Sequence, residues 1–253
     1  MPRSAFLLIS AASALIVAPR VSAQCSTTVQ KQISDHAYDA ALAELEPQLK
    51  ARPDNDVLID CMGRILLARG KSGKAVDWLE KAVKLNPRNA YHHEGLGKAL
   101  MEEGGKASII RRPFLIRRFK TEFETAVALE PTLVDSRRVL VMLYAMAPGA
   151  LGGSMPKAKE QADAIMKLNP MRGHTALGFV AERNKDIPGA EKEFLAAIAL
   201  HPDSVAPYVA TGAFYHRQKR VTDSISMYQK ALALDPKNED VKKELASLSR
   251  EGK

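Results

Sequence analysis

The stretch Gly178–Pro202, GFVAERNKDIPGAEKEFLAAIALHP, contains the pattern that decides the fold. Its small residues Gly178, Ala190 and Ala197 stand 24, 12 and 5 residues before the proline, and Phe194 stands 8 residues before it. Two antiparallel helices can pack closely where such small residues face each other. Proline ends the second helix because it lacks a backbone donor and clashes with the preceding turn. The stretch therefore predicts a pair of helices joined by the polar turn RNKDIPG.

Related stretches recur along the whole chain, and each ends at a proline. The six prolines are separated by 34, 44, 39, 32 and 34 residues: Pro53, Pro87, Pro131, Pro170, Pro202 and Pro236. A period near 34 residues indicates an array of helical repeats. The 253-residue chain is 46% apolar and 26% charged, which is the balance of a soluble globular protein.

The pattern resembles the tetratricopeptide repeat (TPR) of exported bacterial proteins. The positions that carry the resemblance are Leu96, Gly97, Leu100, Leu177, Gly178, Ala190, Phe194, Ala197, Gly212, Tyr215, Tyr228, Ala231 and Pro236. The resemblance implies an all-α, right-handed α-solenoid of about six helix pairs over residues 24–236. Residues 237–253 place Val241, Leu245 and Leu248 on one face, which predicts a C-terminal capping helix, with a loose tail as the alternative.

The first 23 residues have the features of a secretory signal peptide. Arg3 precedes an apolar run of 14 residues, and small residues end at Ala23. The run is too short to cross a bilayer of about 30 Å as a helix. We therefore expect cleavage near Ala23 and a periplasmic or secreted protein, with an uncleaved anchor as the alternative.

Charge and cysteine content agree with an exported binding protein. Without residues 1–23 the chain keeps 35 basic and 29 acidic residues, a net charge of about +6. This weakly favours acidic partners, and no nucleic acid is expected. The chain has two cysteines, Cys25 and Cys61. In an oxidising compartment we expect them to form a disulfide bond, the alternative being two free thiols.

The longest gap contains ten extra residues, in the segment 105–120. In this basic insertion, apolar residues alternate with five cations: Arg111, Arg112, Arg117, Arg118 and Lys120. One interpretation is an amphipathic segment that contacts an anionic membrane or an acidic partner. The other is an extended helix with solvated arginines. A second insertion, Ala147–Pro156 (APGALGGSMP), predicts either an irregular crossover or an anion-binding nest.

The TPR resemblance implies a concave groove lined by the first helix of each pair. It places there Asp60, Arg64, Tyr91, Glu94, Lys98, Met101, Arg138, Met142, Arg172, Phe179, Glu182, Arg183, His216 and Arg217. Arginine, methionine and aromatic side chains are frequent in binding surfaces. We expect this groove to bind a protein or peptide of acidic character, the alternative being a generic charged surface.

No catalytic, cofactor or metal site is predicted. Gly70-Lys71-Ser72 resembles part of a phosphate-binding loop, but Ile65 occupies the position of the required first glycine. The six histidines have no metal-ligand spacing. The sequence thus predicts a scaffold or adaptor without enzyme activity. The alternative is a membrane-surface or cell-envelope complex subunit that uses the basic insertion.

Overall fold

The computed structural model describes residues 25–251, so the predicted signal peptide lies outside the described residues. The described part contains thirteen α-helices, a 3-10 turn at Gly149–Leu151 and no β-strand. The helices are α1 (Thr27–Ser34), α2 (Tyr38–Ala51), α3 (Asp56–Ala68), α4 (Ser72–Leu85), α5 (Ala90–Lys106), α6 (Arg112–Leu129), α7 (Val134–Met146), α8 (Met155–Leu168), α9 (Pro170–Arg183), α10 (Ile187–Leu200), α11 (Val205–Arg217), α12 (Val221–Leu234) and α13 (Glu239–Glu251).

The helices form six successive pairs, from α1 with α2 to α11 with α12, followed by α13. Each helix packs on its neighbours in the chain. In addition, first helices of successive pairs contact each other, as in α3 with α5, α7 with α9, and α9 with α11. The first helices therefore form the inner layer of the stack, and the second helices form the outer layer. The predicted all-α solenoid of helix pairs is confirmed.

Glycines on the inner helices allow the paired helices to approach closely. A Cβ atom at Gly63 would lie 2.5 Å from Cγ of Leu79, and one at Gly178 would lie 3.1 Å from the ring of Phe194. In the second, third, fifth and sixth pairs, the large side chain eight residues before the proline therefore packs on the glycine of its own pair. It also reaches the next pair, since the Phe194 ring centroid lies 4.9 Å from that of Phe214.

The turn inside a pair has the same geometry in the first, second, fifth and sixth pairs. One residue of each turn has a positive φ: His36 at 59°, Gly70 at 73°, Lys185 at 65° and Lys219 at 61°. Two backbone hydrogen bonds close each turn; after α9 they run from Lys185 N to Glu182 O and from Asp186 N to Ala181 O. This is the Schellman arrangement that ends helices at a left-handed residue.

The two insertions replace this turn in the third and fourth pairs. Helices α5 and α6 have 17 and 18 residues, whereas α3, α4 and α7 to α12 have 13 or 14. The extra length is about one helical turn, or roughly 5 Å, on each helix. The α5–α6 hairpin therefore projects beyond the edge of the stack, and the Gly-rich insertion follows α7 at the same edge.

Helix α13 packs on α12 at the C-terminal end of the stack. Val241 and Leu248 are buried there with Tyr228 and Ala231, and Leu245 is half-buried against the same cluster. None of the described helices has the length and apolar content needed to cross a membrane.

Candidate functional site

The groove is the surface of the inner helices α3, α5, α7, α9 and α11. At its N-terminal end, Arg64, Tyr91 and Glu94 line a cavity of about 380 Å³ together with Cys25 and Ile33. Nearer the C-terminus, Arg138, Met142, Phe179 and Arg217 line a second cavity of about 260 Å³. Seven of the predicted groove residues therefore border two cavities on this surface.

Most groove cations are already paired with carboxylates of the protein itself. Arg64 Nε donates to Asp60 at 2.5 Å, and Lys98 Nζ lies 3.2 Å from Glu94. Arg172 contacts Asp135 at 2.9 Å, and two nitrogens of Arg217 donate to Glu182 at 2.7 and 2.8 Å. These four cations are therefore less available to a partner than the sequence pattern alone indicates.

Arg64 is the most enclosed of these cations. Burial opposes its charge, but the Asp60 carboxylate outweighs burial and raises the pKa of the guanidinium above its usual value. The same guanidinium donates to the carbonyl oxygen of Tyr91 on the next inner helix. Arg64 therefore joins α3 to α5, and its first role is structural.

Two groove cations have no carboxylate partner in the described chain. The guanidinium of Arg138 is exposed and reaches only the sulfur of Met142, at 3.9 Å. Arg183 is also exposed, and within residues 25–251 neither an ion pair nor a hydrogen bond holds its side chain. Met101 and Met142 are exposed by 41% and 42%, so apolar surface accompanies this uncompensated charge.

His92 and His93 have a structural role that the sequence analysis missed. His92 is fully buried, with Nε2 2.9 Å from Asp56 and Nδ1 3.2 Å from Asp60. His93 lies between Glu122, at 2.6 Å, and the carbonyl oxygen of Pro87, at 2.9 Å. His92 thus joins α5 to α3 of the preceding pair, whereas His93 joins α5 to α6 of its own pair and to the end of the second pair at Pro87. The available signal was the spacing of Asp56 and Asp60, which places both carboxylates on one helix face.

The basic insertion is divided between paired and unpaired cations. Arg118 pairs with Glu80, Lys120 lies 3.8 Å from Glu124, and Arg117 donates to the carbonyl oxygen of Ala150 at 3.4 Å. Arg111 and Arg112 are exposed and have no carboxylate partner in the described part of the chain. The insertion thus extends a helix, as one interpretation predicted, and retains two uncompensated cations at its start.

Residues 107–114, the hairpin tip, expose large apolar side chains beside these cations. The exposed fractions are 81% for Ile109, 87% for Ile110 and 63% for Phe114. Such an exposed cluster is unusual for a soluble surface, and contiguous apolar patches commonly mark interaction sites.

The Gly-rich insertion uses its own backbone donors. Leu151 N and Gly153 N donate to Pro148 O at 2.8 and 3.1 Å, and Ser154 N donates to Tyr144 O at 2.8 Å. Gly152 N donates to Gly149 O at 2.9 Å. Because these donors point inward, the geometry favours the crossover over the anion-binding nest.

Cys25 and Cys61 lie together at the N-terminal end of the groove. Their sulfur atoms are 2.13 Å apart and their Cα atoms 5.5 Å apart, which places the start of the described chain against α3. Both cysteines are buried, as is the neighbouring Asp60.

Comparison with known proteins agrees with this architecture. A family model described as "TPR repeat" matches residues 63–104, and one described as "Tetratricopeptide repeat" matches residues 175–239. The crystal structure of TTC0263, a thermophilic TPR protein of Thermus thermophilus, is similar with a TM-score of 0.57 and 19% identity, over 87% of this chain and 95% of that one. The Cut9–Hcn1 structure of the APC/C gives a TM-score of 0.63 and 17% identity, over 89% of this chain and 42% of that one.

Sequence relatives are short matches within much longer proteins. The protein O-mannosyl-transferase F38B6.6 of Caenorhabditis elegans is 34% identical over 80 residues, which is 32% of this chain and 12% of that protein. The CTR9 homolog of Arabidopsis thaliana is 29% identical over 80 residues, or 7% of its length. The chain is a tetratricopeptide repeat protein, a class whose fold typically mediates binding to proteins or peptides.

Proposed function

We propose that this TPR protein is a scaffold or adaptor that binds a protein or peptide partner in its groove. The observation that carries the proposal is the cavity lined by Arg138, Met142, Phe179 and Arg217, where apolar surface from three inner helices is bordered by guanidinium groups. Adaptable methionine and planar aromatic and guanidinium groups are suited to binding peptide side chains. The repeat fold is typical of scaffolds, and the absence of enzyme activity stays a prediction.

The partner is proposed to be acidic where it crosses the groove. Glu94, Asp135 and Glu182 are each paired with a cation of the protein, whereas Arg138 and Arg183 have no carboxylate partner in the described chain. The uncompensated charge along the groove is therefore positive. A carboxylate from a partner would meet these exposed guanidinium groups, and ion pairs across an interface contribute to specificity and to the association rate.

Crosslinked affinity capture from the native source, followed by mass spectrometry, tests this function. The double variant Arg138→Glu/Arg183→Glu should lose the partners that the unaltered protein captures. Lys192→Glu, an exposed charge reversal on the outer helix α10, is the matched control and should retain them. Identical captured proteins for the double variant and the unaltered protein would contradict binding in the groove.

Export and the disulfide bond belong to the same proposal. The signal peptide pattern in residues 1–23 supports a periplasmic or secreted location, where a Cys25–Cys61 bond would be stable. Cell fractionation with mass determination of the mature chain tests this part, and a mass that begins at Gln24 is expected. A cytosolic protein of full mass would contradict it.

Peripheral attachment to an anionic membrane is the second candidate function. The exposed Ile109, Ile110 and Phe114 beside Arg111 and Arg112 favour it, because interfacial segments combine apolar side chains with cations. Cosedimentation with phosphatidylglycerol vesicles should fall for Ile110→Ser/Phe114→Ser and remain unchanged for Leu200→Ser, which alters an apolar residue of α10 that is exposed by 47%. Binding that is unaffected by the double variant would remove this candidate.

A further inference from the structure

The two insertions, which are separated in sequence by the second half of α6 and all of α7, meet around one cleft. Arg117 in the basic insertion donates to the carbonyl oxygen of Ala150 in the Gly-rich insertion. Between them lies the edge cleft, about 740 Å³ in volume. Its walls come from α5, the first half of α6, α7 and the residues that follow α7: Met101, Arg112, Ile116, Phe119, Arg138, Val139, Met142, Leu143, Met146, Ala147 and Pro148.

The edge cleft has an apolar floor and a lip of flexible side chains. Val139 and Leu143 form buried floor, with exposed fractions of 9% and 8%. Met101, Met142 and Met146 stand at the opening, exposed by 41%, 42% and 56%. Methionine is unbranched and polarizable, so a lip of this kind adapts to bulky apolar side chains. The cleft is also continuous with the groove through Arg138 and Met142, which line both cavities.

The only cations of the edge cleft are Arg112 and Arg138, and neither meets a carboxylate in the described chain. Arg112 donates to the carbonyl oxygen of Ala107 at 3.3 Å, and Arg138 reaches only the sulfur of Met142. Elsewhere on the inner helices, Arg64, Lys98 and Arg172 are paired with carboxylates of the protein. A partner that binds in this cleft should therefore carry carboxylates that complement the charges of Arg112 and Arg138.

We propose that the edge cleft binds an acidic amphipathic helix of the partner protein, with apolar side chains on the cleft floor and carboxylates on Arg112 and Arg138. This rests on the proposed groove function and assigns its principal anchoring site. Helices that bind in apolar grooves present large side chains at positions i, i+3 or i+4, and i+7. A lipid bilayer surface is a poorer fit, because it can reach the projecting Ile110 but not the recessed Leu143.

A phage-displayed library of random peptides, selected on the full chain, provides the probe. We expect selected sequences to combine Asp or Glu with Leu, Phe, Trp or Met at helical spacing. A synthetic selected peptide should bind Met146→Glu and Arg112→Glu at least about tenfold more weakly, which corresponds to about 1.4 kcal/mol and is common for residues at the centre of an interface. Leu200→Glu, which alters an apolar residue of similar exposure far along the chain, should bind as the unaltered protein does.

The outcomes distinguish binding in the edge cleft from binding in the groove. Peptides that lose affinity with Arg183→Glu and Phe179→Ala, but not with Met146→Glu or Arg112→Glu, would overturn the edge cleft and leave the groove function standing. Selection of basic peptides, or of peptides without spaced apolar residues, would overturn the proposed partner chemistry. Failure to select any peptide, together with vesicle binding that depends on Met146, would overturn both in favour of a membrane contact.

Discussion

Three lysine or histidine residues adopt a backbone conformation that favours glycine. His36, Lys185 and Lys219 have φ between 59° and 65° at the position that Gly70 occupies in the second pair. The left-handed conformation costs a residue with a Cβ roughly 1 kcal/mol relative to glycine. The fold therefore imposes this conformation on the chain, because the two hydrogen bonds of each turn require it.

Replacing Lys185 and Lys219 with glycine should stabilise the protein. Each substitution is expected to raise the free energy of unfolding by about 0.5–1 kcal/mol, because the strain at positive φ is removed. Urea denaturation followed by circular dichroism measures the change. Lys230→Gly, in the exposed interior of α12, should instead destabilise by about 1 kcal/mol. Equal effects of the two kinds of substitution would contradict the assignment of strain to the turns.

His93 should make stability depend on pH. Burial opposes its charge, but Glu122 and the Pro87 carbonyl outweigh burial and raise the pKa of His93 above its ordinary value of 6.5. Because the pKa of His93 is higher in the folded than in the unfolded state, the stabilisation by the protonated ring is complete below the unfolded-state pKa. It is lost as the pH rises through the folded-state pKa. The difference in unfolding free energy between the unaltered protein and His93→Gln should therefore shrink as the pH rises above the unfolded-state pKa of about 6.5. A difference that stays constant would show that the ring contributes by packing alone.

Helix α1 depends on contacts with the rest of the protein for its folding. It has eight residues, below the length at which an isolated helix is stable, and only Val29 within it is buried. Its position next to α3 coincides with the Cys25–Cys61 contact, which closes a sequence separation of 36 residues. We therefore expect a bond between the two sulfur atoms to hold this helix in place.

If the two cysteines are bonded in solution, the denatured and unreduced protein will contain no titratable thiol with Ellman's reagent. The chain-entropy model gives about 3–4 kcal/mol for a loop of this size, so Cys25→Ser/Cys61→Ser should lower stability by up to that amount. Hydrogen exchange should accelerate in α1 and remain slow in α9. Two thiols per chain in the unreduced sample would contradict the bond.

At the scale of the whole molecule, each pair is stabilised mainly by its neighbours. A destabilising substitution should therefore affect only the pairs near it. Leu248 is fully buried and fixes α13 on α12 beside Tyr228. Leu248→Asp should release α13 and increase hydrogen exchange in α12, while exchange in α3 to α6 stays unchanged. Faster exchange along the entire chain would indicate a single cooperative unit instead.

The repeat pattern predicts the helix pairs, because contacts between residues close in sequence determine them. It does not predict contacts between residues that are distant in sequence. Gly178, Phe194 and Pro202 determine a helix pair through contacts close in sequence, so the solenoid follows from them. The pairing of Arg217 with Glu182 is different, because it joins residues 35 positions apart and depends on the rotation between successive pairs. The hydrogen bond from Arg117 to the carbonyl oxygen of Ala150 likewise joins residues that are distant in sequence. Two insertions are visible in the sequence, but the spacing of prolines does not indicate that they share one edge.

The edge cleft has a consequence for the order in which the protein is made. Its lining extends only from Met101 to Pro148, so all of its walls lie N-terminal to α8 and leave the ribosome before α8 does. Domains and repeats can fold from the N-terminus as synthesis proceeds. The cleft can thus be assembled before the last hundred or so residues, about 40% of the chain, have left the ribosome. A nascent chain that has emerged from the ribosome as far as Pro148 would hold every residue that lines the cleft, including Met142 and Met146.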